Sequence, residues 1–140
     1  MRLGLYSRRG RQAITAARAF IAERGYGSSA NDIRRCREEL TRLQFAKIAE
    51  SLDFFTTGSC RDLLFHVQEH QCTLPEIDEF IRQNQLDFLG FHLPGSVLQN
   101  IRRCFPTDRM MTNLGLWYDF EMENPSTFAG MYQFWVRKAK

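Results

Sequence analysis

The chain has 140 residues, 44% of them apolar, a size that supports one hydrophobic core and one domain over 1–140. Its formal charge of +3 is unevenly spread: residues 1–47 hold eleven Lys/Arg against four Asp/Glu, and the remainder eight against twelve. Charges interrupt every apolar run well short of a bilayer span and the opening Met1-Arg2-Leu3-Gly4-Leu5-Tyr6 is too brief for a signal peptide, so membrane classes are excluded and a cytoplasmic protein is expected.

Leu3–Tyr6 reads as a short strand feeding a basic segment. From Arg8 to Arg24 the apolar positions Ala13, Ile14, Ala17, Phe20 and Ile21 recur every three or four residues, and Gly25 supplies a helix stop. Ser29 followed by Asp32 predicts a capped second helix burying Ile33, Cys36, Leu40 and Leu43; a third is expected through Phe45, Ile48, Ala49 and Leu52. Thr56-Thr57-Gly58-Ser59 reads as a small-residue loop, and 62–67 as either a buried strand or a helical turn. Thr73-Leu74-Pro75-Glu76 combines a capping box with a proline in the first turn, where no amide donor is needed, and predicts a helix through Ile77, Phe80 and Ile81.

Leu86–Leu93 is nearly continuous in apolar residues, which predicts an interior strand covered on both faces. Val97 to Phe105 marks a helix stopped by Pro106. Asn113 caps another through Leu116, Trp117 and Phe120, broken by Asn124-Pro125. Phe128 to Val136 alternates, with Phe128, Tyr132, Phe134 and Val136 on one face and Met131 and Trp135 on the other, and reads as a closing strand. Strands separated by helices define an α/β class.

Read in order, Arg2-Leu-Gly-Leu-Tyr-Ser7, Cys60-Arg-Asp-Leu-Leu-Phe-His-Val-Gln-Glu-His70, Thr73-Leu-Pro-Glu-Ile77, Leu86-Asp-Phe-Leu-Gly-Phe91 and Phe128-Ala-Gly-Met-Tyr-Gln-Phe-Trp135 resemble the C-terminal half of bacterial class I S-adenosylmethionine-dependent methyltransferases, of the type fused to tetratricopeptide repeats. The resemblance implies part of a Rossmann-like sheet whose last strand is antiparallel and slips between the fifth and the sixth. Leu3–Tyr6 would be the fifth strand, Leu86–Leu93 the sixth and Phe128–Val136 the seventh, with residues 8–55 a helical insertion on the substrate side. It also implies that the turn holding S-adenosylmethionine lies in an N-terminal half outside this chain. The chain contains no G-x-G-x-x-G run, so it is expected to hold no cofactor and to have no activity alone. That missing half is the expected partner, and an exposed sheet edge is expected to pair two copies of the chain.

Tyr6 and Ser7, at the carboxyl end of a sheet strand, are candidate substrate contacts under this resemblance. Arg61, Asp62, His66, Glu69 and His70 form the densest ionisable group beside apolar sequence; they are candidates for substrate contact or proton acceptance, with a structural ion-pair network as the alternative. His66-Val67-Gln68-Glu69-His70 also matches H-x-x-E-H, which on a helix would suit a zinc-dependent hydrolase, with a third ligand such as Glu121 or Glu123. Cys60, His66, His70 and Cys72 have the ligand types of a structural zinc site but poor cysteine spacing. The preferred reading assigns no metal: reduced, mostly buried cysteines pack as small apolar groups and the histidines bond locally. Trp117, Tyr118, Tyr132 and Trp135 have the spacing of core aromatics more than of a stacking platform. A binding or scaffolding module using the basic helices of residues 8–42 against an acidic partner or nucleic acid is the rival function, although arginines spaced among acids fit a solvated helix face better.

Overall fold

A computed structural model describes residues 1–43, 48, 54–65 and 69–139. In chain order the elements are β1 (Arg2–Ser7), α1 (Gln12–Arg24), α2 (Ala30–Arg42), α3 (Thr57–Cys60) leading into a π-helical turn (Arg61–Phe65), β2 (Gln71–Cys72), α4 (Leu74–Gln83), β3 (Leu86–Phe91), α5 (Gly95–Cys104), α6 (Leu114–Glu123) and β4 (Met131–Lys138). They divide into two compact units, one of Met1–Gly10 with His70–Lys140 and one of Arg11–Glu69. The class is α/β, and no described helix is long and apolar enough to cross a membrane.

The first unit is built on a mixed sheet of order β2-β1-β4-β3. β4 runs antiparallel to both neighbours, with Leu3 opposite Phe134 and Leu5 opposite Tyr132 on one side, and Phe88 opposite Val136 on the other. The alternation of β4 places Tyr132, Phe134 and Val136 in the core on one face, as the sequence predicts, whereas Trp135, expected as a core aromatic, is exposed on the other face. Against that face pack Leu74, Ile77 and Ile81 of α4, Ile101 of α5, and Leu114, Trp117 and Phe120 of α6. The ring of Phe91 meets those of Trp117 and Phe128 edge-on at 5.0 and 4.7 Å. α4 begins at the predicted capping box: the Thr73 hydroxyl accepts from the Glu76 amide while the Glu76 carboxylate accepts from the Thr73 amide.

Two expectations are corrected here. β3 is an edge strand, not an interior one. Its apolar continuity arises because Phe88 and Phe91 face the core while a bulge between Phe88 and Gly90 turns Leu89 outward. The closing strand starts at Met131, later than Phe128, because Ala129 and Gly130 adopt positive φ in the turn before it; Phe128 is nevertheless buried.

The second unit is helical. Ile14, Ala17 and Ile21 of α1 pack with Ile33, Cys36 and Leu40 of α2, with Ile48 and Phe54, and with Cys60 and Leu64. Gly25 closes α1 in the left-handed conformation, and the Ser29 hydroxyl accepts from the Asp32 amide to open α2. Leu43 departs from the expected buried stripe: α2 ends at Arg42, the chain turns extended, and Leu43 is 43% exposed. Of the expected third helix, Ile48 is described and buried, whereas Phe45, Ala49 and Leu52 lie outside the described residues. Thr56–Ser59 is not a loop. The Thr56 hydroxyl accepts from the Ser59 amide and nucleates α3, and the π-helical turn that follows makes 61–65 helical.

The cysteines divide as well. Cys36 and Cys60 are buried, and burial, followed by the neighbouring Cys60 and Glu39, pushes the Cys36 thiol up to about 11. Cys72 is half-buried and Cys104 is exposed, the latter against expectation because it ends α5 on its solvent side.

A single glycine ties β1 to the turn before β4. A Cβ on Gly10 would sit 2.6 Å from the Gly130 Cα and 2.7 Å from its nitrogen, and both obstructing atoms are backbone. Gly10→Ala is therefore expected to destabilise the protein by about 1–3 kcal/mol, read as a lower denaturation midpoint in urea. A wild-type midpoint would show that the two turns do not press together.

Candidate functional site at the carboxyl end of the first strand

β1 ends in Tyr6 and Ser7, and β2 runs parallel beside it, pairing Tyr6 with Gln71 and Ser7 with Cys72. His70, exposed, immediately precedes β2, so Tyr6, Ser7 and His70 come together at one end of the sheet. Arg8 fastens this end. Its amide donates to the Cys72 carbonyl at 2.9 Å, and its guanidinium reaches the Gln71 carbonyl at 3.2 Å and Glu76 at 2.9 Å. The Thr73 amide, then Arg8, holds the exposed Glu76 carboxyl below the usual carboxylate range.

Beneath lies a buried polar group that the sequence reading did not assemble. Ser7 is 0% exposed and Glu121 of α6 is 3% exposed. The Ser7 hydroxyl donates to Glu121 Oε1 at 3.0 Å, and the Tyr132 hydroxyl lies 2.9 Å from both Glu121 oxygens and 3.1 Å from Ser7 Oγ. The Gly10 amide donates to Ser7 Oγ at 3.0 Å, and the Ser7 amide to the Gly130 carbonyl at 2.8 Å. No buried side-chain nitrogen or oxygen among the described residues lacks a partner. Burial raises the Tyr132 phenol above its ordinary value, and the Glu121 carboxylate reinforces the shift against the opposing effect of the Ser7 hydrogen bond. A signal for Glu121 was present: it falls on the buried stripe of Leu114, Trp117 and Phe120, where a carboxylate needs donors.

The remaining candidates belong to the helical unit. Arg61 is exposed and donates to the Ser28 carbonyl at 3.2 Å, and Asp62 is exposed beside it. Glu69, its side chain 6% exposed, accepts from Arg11 at 2.9 and 2.7 Å and from Arg18 at 3.0 Å. Arg18 also caps the Leu63 carbonyl at 2.8 Å, so Glu69 closes an ion-pair network around the end of the π-helical turn.

His66 lies outside the described residues. Glu69 and His70 are not helical, so the face that H-x-x-E-H requires does not extend through them, and the Glu69 carboxylate is engaged by guanidinium groups. Among the described residues no group of three or more His, Cys, Asp or Glu is placed to hold a metal ion. Of the aromatic candidates, Trp117 and Tyr132 are core residues, the former donating from Nε1 to the Met111 carbonyl at 2.8 Å, and Tyr118 and Trp135 are exposed.

Gly25-Tyr26-Gly27-Ser28-Ser29-Ala30 has glycine spacing close to the dinucleotide-binding pattern, but it joins α1 to α2, with no strand before it. No protein-family model matches the chain, and no curated protein matches it.

Tyr132→Phe would leave Glu121 with one hydroxyl donor fewer, and a loss of about 1–3 kcal/mol is expected at neutral pH. Because the folded-state phenol value is raised, its contribution is fully present below the unfolded value of about 10 and is lost as pH rises above it. The stability gap between wild type and Tyr132→Phe should therefore narrow above pH ~10 in denaturant titrations, whereas a constant gap would remove the phenol from the linkage.

Proposed function

We propose that this chain is the C-terminal, substrate-side portion of a class I S-adenosylmethionine-dependent methyltransferase, with the methyl donor held by a preceding half of the sheet. The observation that carries this reading is the order β1-β4-β3, in which the last strand is antiparallel and occupies the slot between two strands that run parallel to each other. Consecutive strands joined as β3 and β4 are need only pair with one another. Entry of β4 between β3 and β1 instead requires the sheet to leave a gap of one strand, about 5 Å from each neighbour. That is the arrangement implied for the fifth, seventh and sixth strands of the Rossmann-like methyltransferase sheet.

Two further features agree with a portion of a larger sheet. Among the described residues β2 covers the outer edge of β1 only at Tyr6 and Ser7. The strand end carrying Tyr6 and His70 is also the kind of place where open α/β sheets collect ligands. In this reading Tyr6 and His70 touch the methyl acceptor, with His70 able to take a proton from it, and buried Ser7 fixes the strand end through Glu121 and Tyr132. Among the described residues the glycine-spaced segment 25–30 joins two helices and does not follow a strand, so in this reading no step is assigned to this chain beyond acceptor placement.

Calorimetric titration with S-adenosylmethionine tests the reading. The 140-residue chain should give no binding heat, and a longer polypeptide that retains the sequence encoded directly upstream of Met1 should bind one equivalent with roughly micromolar affinity. Tight stoichiometric binding by the chain alone, or none by the longer polypeptide, would contradict it.

A further inference from the structure

α2 presents a groove of about 520 Å³ on the helical unit, bounded on the other side by Phe54 and Phe55. Its floor is fixed: Arg37 donates to the carbonyls of Phe54 and Phe55 at 3.4 and 2.7 Å, and Thr41 donates to the Arg37 carbonyl at 2.7 Å. The other two arginines are uncommitted. Arg34 and Arg42 are exposed and, among the described residues, make no hydrogen bond or ion pair, whereas Arg11, which precedes α1, and Arg18 and Arg24 within it are all ion-paired. Phe55, which lines the same groove, is 64% exposed, a large apolar ring left in water.

We propose that this groove is a docking site for an acidic peptide segment of a partner protein, one whose two carboxylates flank an apolar side chain. Arg34 and Arg42 are eight residues apart on α2, which places their backbones about 12 Å apart along the helix axis. An extended peptide spans about 13 Å between residues four apart, so two acids at that spacing reach both guanidinium groups while the residue midway lies against Phe55. Guanidinium pairs with carboxylate in bidentate geometry, and seating an apolar side chain on Phe55 removes apolar surface from water.

Glu38 decides the class of ligand. It lines the groove between the two arginines, and would repel a nucleic acid backbone, which carries charge at every step. A peptide that is acidic at its ends and neutral in the middle meets no such penalty. The site stands on this geometry and does not depend on the proposed methyltransferase origin of the chain.

Fluorescence anisotropy with the whole chain provides the test, using a labelled peptide that carries two glutamates four residues apart and a phenylalanine midway. The expected result is saturable binding that weakens at least about tenfold when both glutamates become glutamine, and equally in an Arg34→Glu, Arg42→Glu double variant. Binding should also weaken as salt rises from about 50 to about 300 mM, and on Phe55→Ala. Because neither arginine has a hydrogen-bond or ion-pair partner among the described residues, the double variant should keep the wild-type far-ultraviolet circular dichroism, with its melting temperature lowered only slightly by the new like-charge neighbours of Glu38, which separates loss of binding from loss of fold. Absence of saturable peptide binding, unchanged affinity in the double variant or for the glutamine peptide, or tighter binding of a labelled oligothymidylate would each overturn the assignment.

Discussion

β4 lies antiparallel between two strands that share a direction, and the rest of the first unit is arranged around that insertion. Its two ladders fix the separation of β1 from β3, and its alternation dictates which residues enter the core. Because side chains alternate with a period of two, a slip of one residue would carry Tyr132, Phe134 and Val136 to the outer face and bring Trp135 inward. The tightly packed rings of Phe91, Phe128, Phe134 and Trp117 therefore also hold the register. One chain of contacts links strand order, core packing and the position of the strand ends.

The same register sets the buried polar group. Tyr132 enters the core opposite Leu5, two residues before Ser7, which lets its hydroxyl meet both Ser7 and Glu121. A buried carboxylate without donors is costly, so the two hydroxyl groups and the Gly10 amide that completes Ser7 form one interdependent arrangement. Ser7 is thereby an anchor beneath the strand end, where Tyr6 is half-buried and His70 is exposed. In the helical unit Glu69 plays the equivalent part, drawing Arg11 and Arg18 together at the close of the segment.

What the sequence revealed was mainly local. Thr73 and Glu76 form their reciprocal hydrogen bonds within four residues, Ser29 and Gly25 act within one helical turn, and Asn113 caps α6 as expected. The alternation of β4 was equally plain, since a half-buried strand declares its two faces by period. Long-range features were hidden: Ser7 and Glu121 are separated by 114 positions, and nothing near either residue names the other. The edge position of β3 is not legible because a run of apolar residues does not distinguish a covered strand from one whose bulge turns Leu89 outward. Thr56 reads as loop chemistry because a hydroxyl that starts a turn and one that caps a helix look alike until the following amides are placed. The charge imbalance of the first 47 residues is visible in the sequence, but only the structure shows that Arg8, Arg11, Arg18 and Arg24 are spent on ion pairs while Arg34 and Arg42 make none among the described residues.

The strand order underlies both the assembled site and the proposed origin of the chain, and interstrand nuclear Overhauser effects measure it most directly. The account predicts contacts between the backbones of Leu3 and Phe134 and between those of Phe88 and Val136, with none joining β1 to β3. Direct contacts between β1 and β3, or β4 at the margin of the sheet, would contradict it.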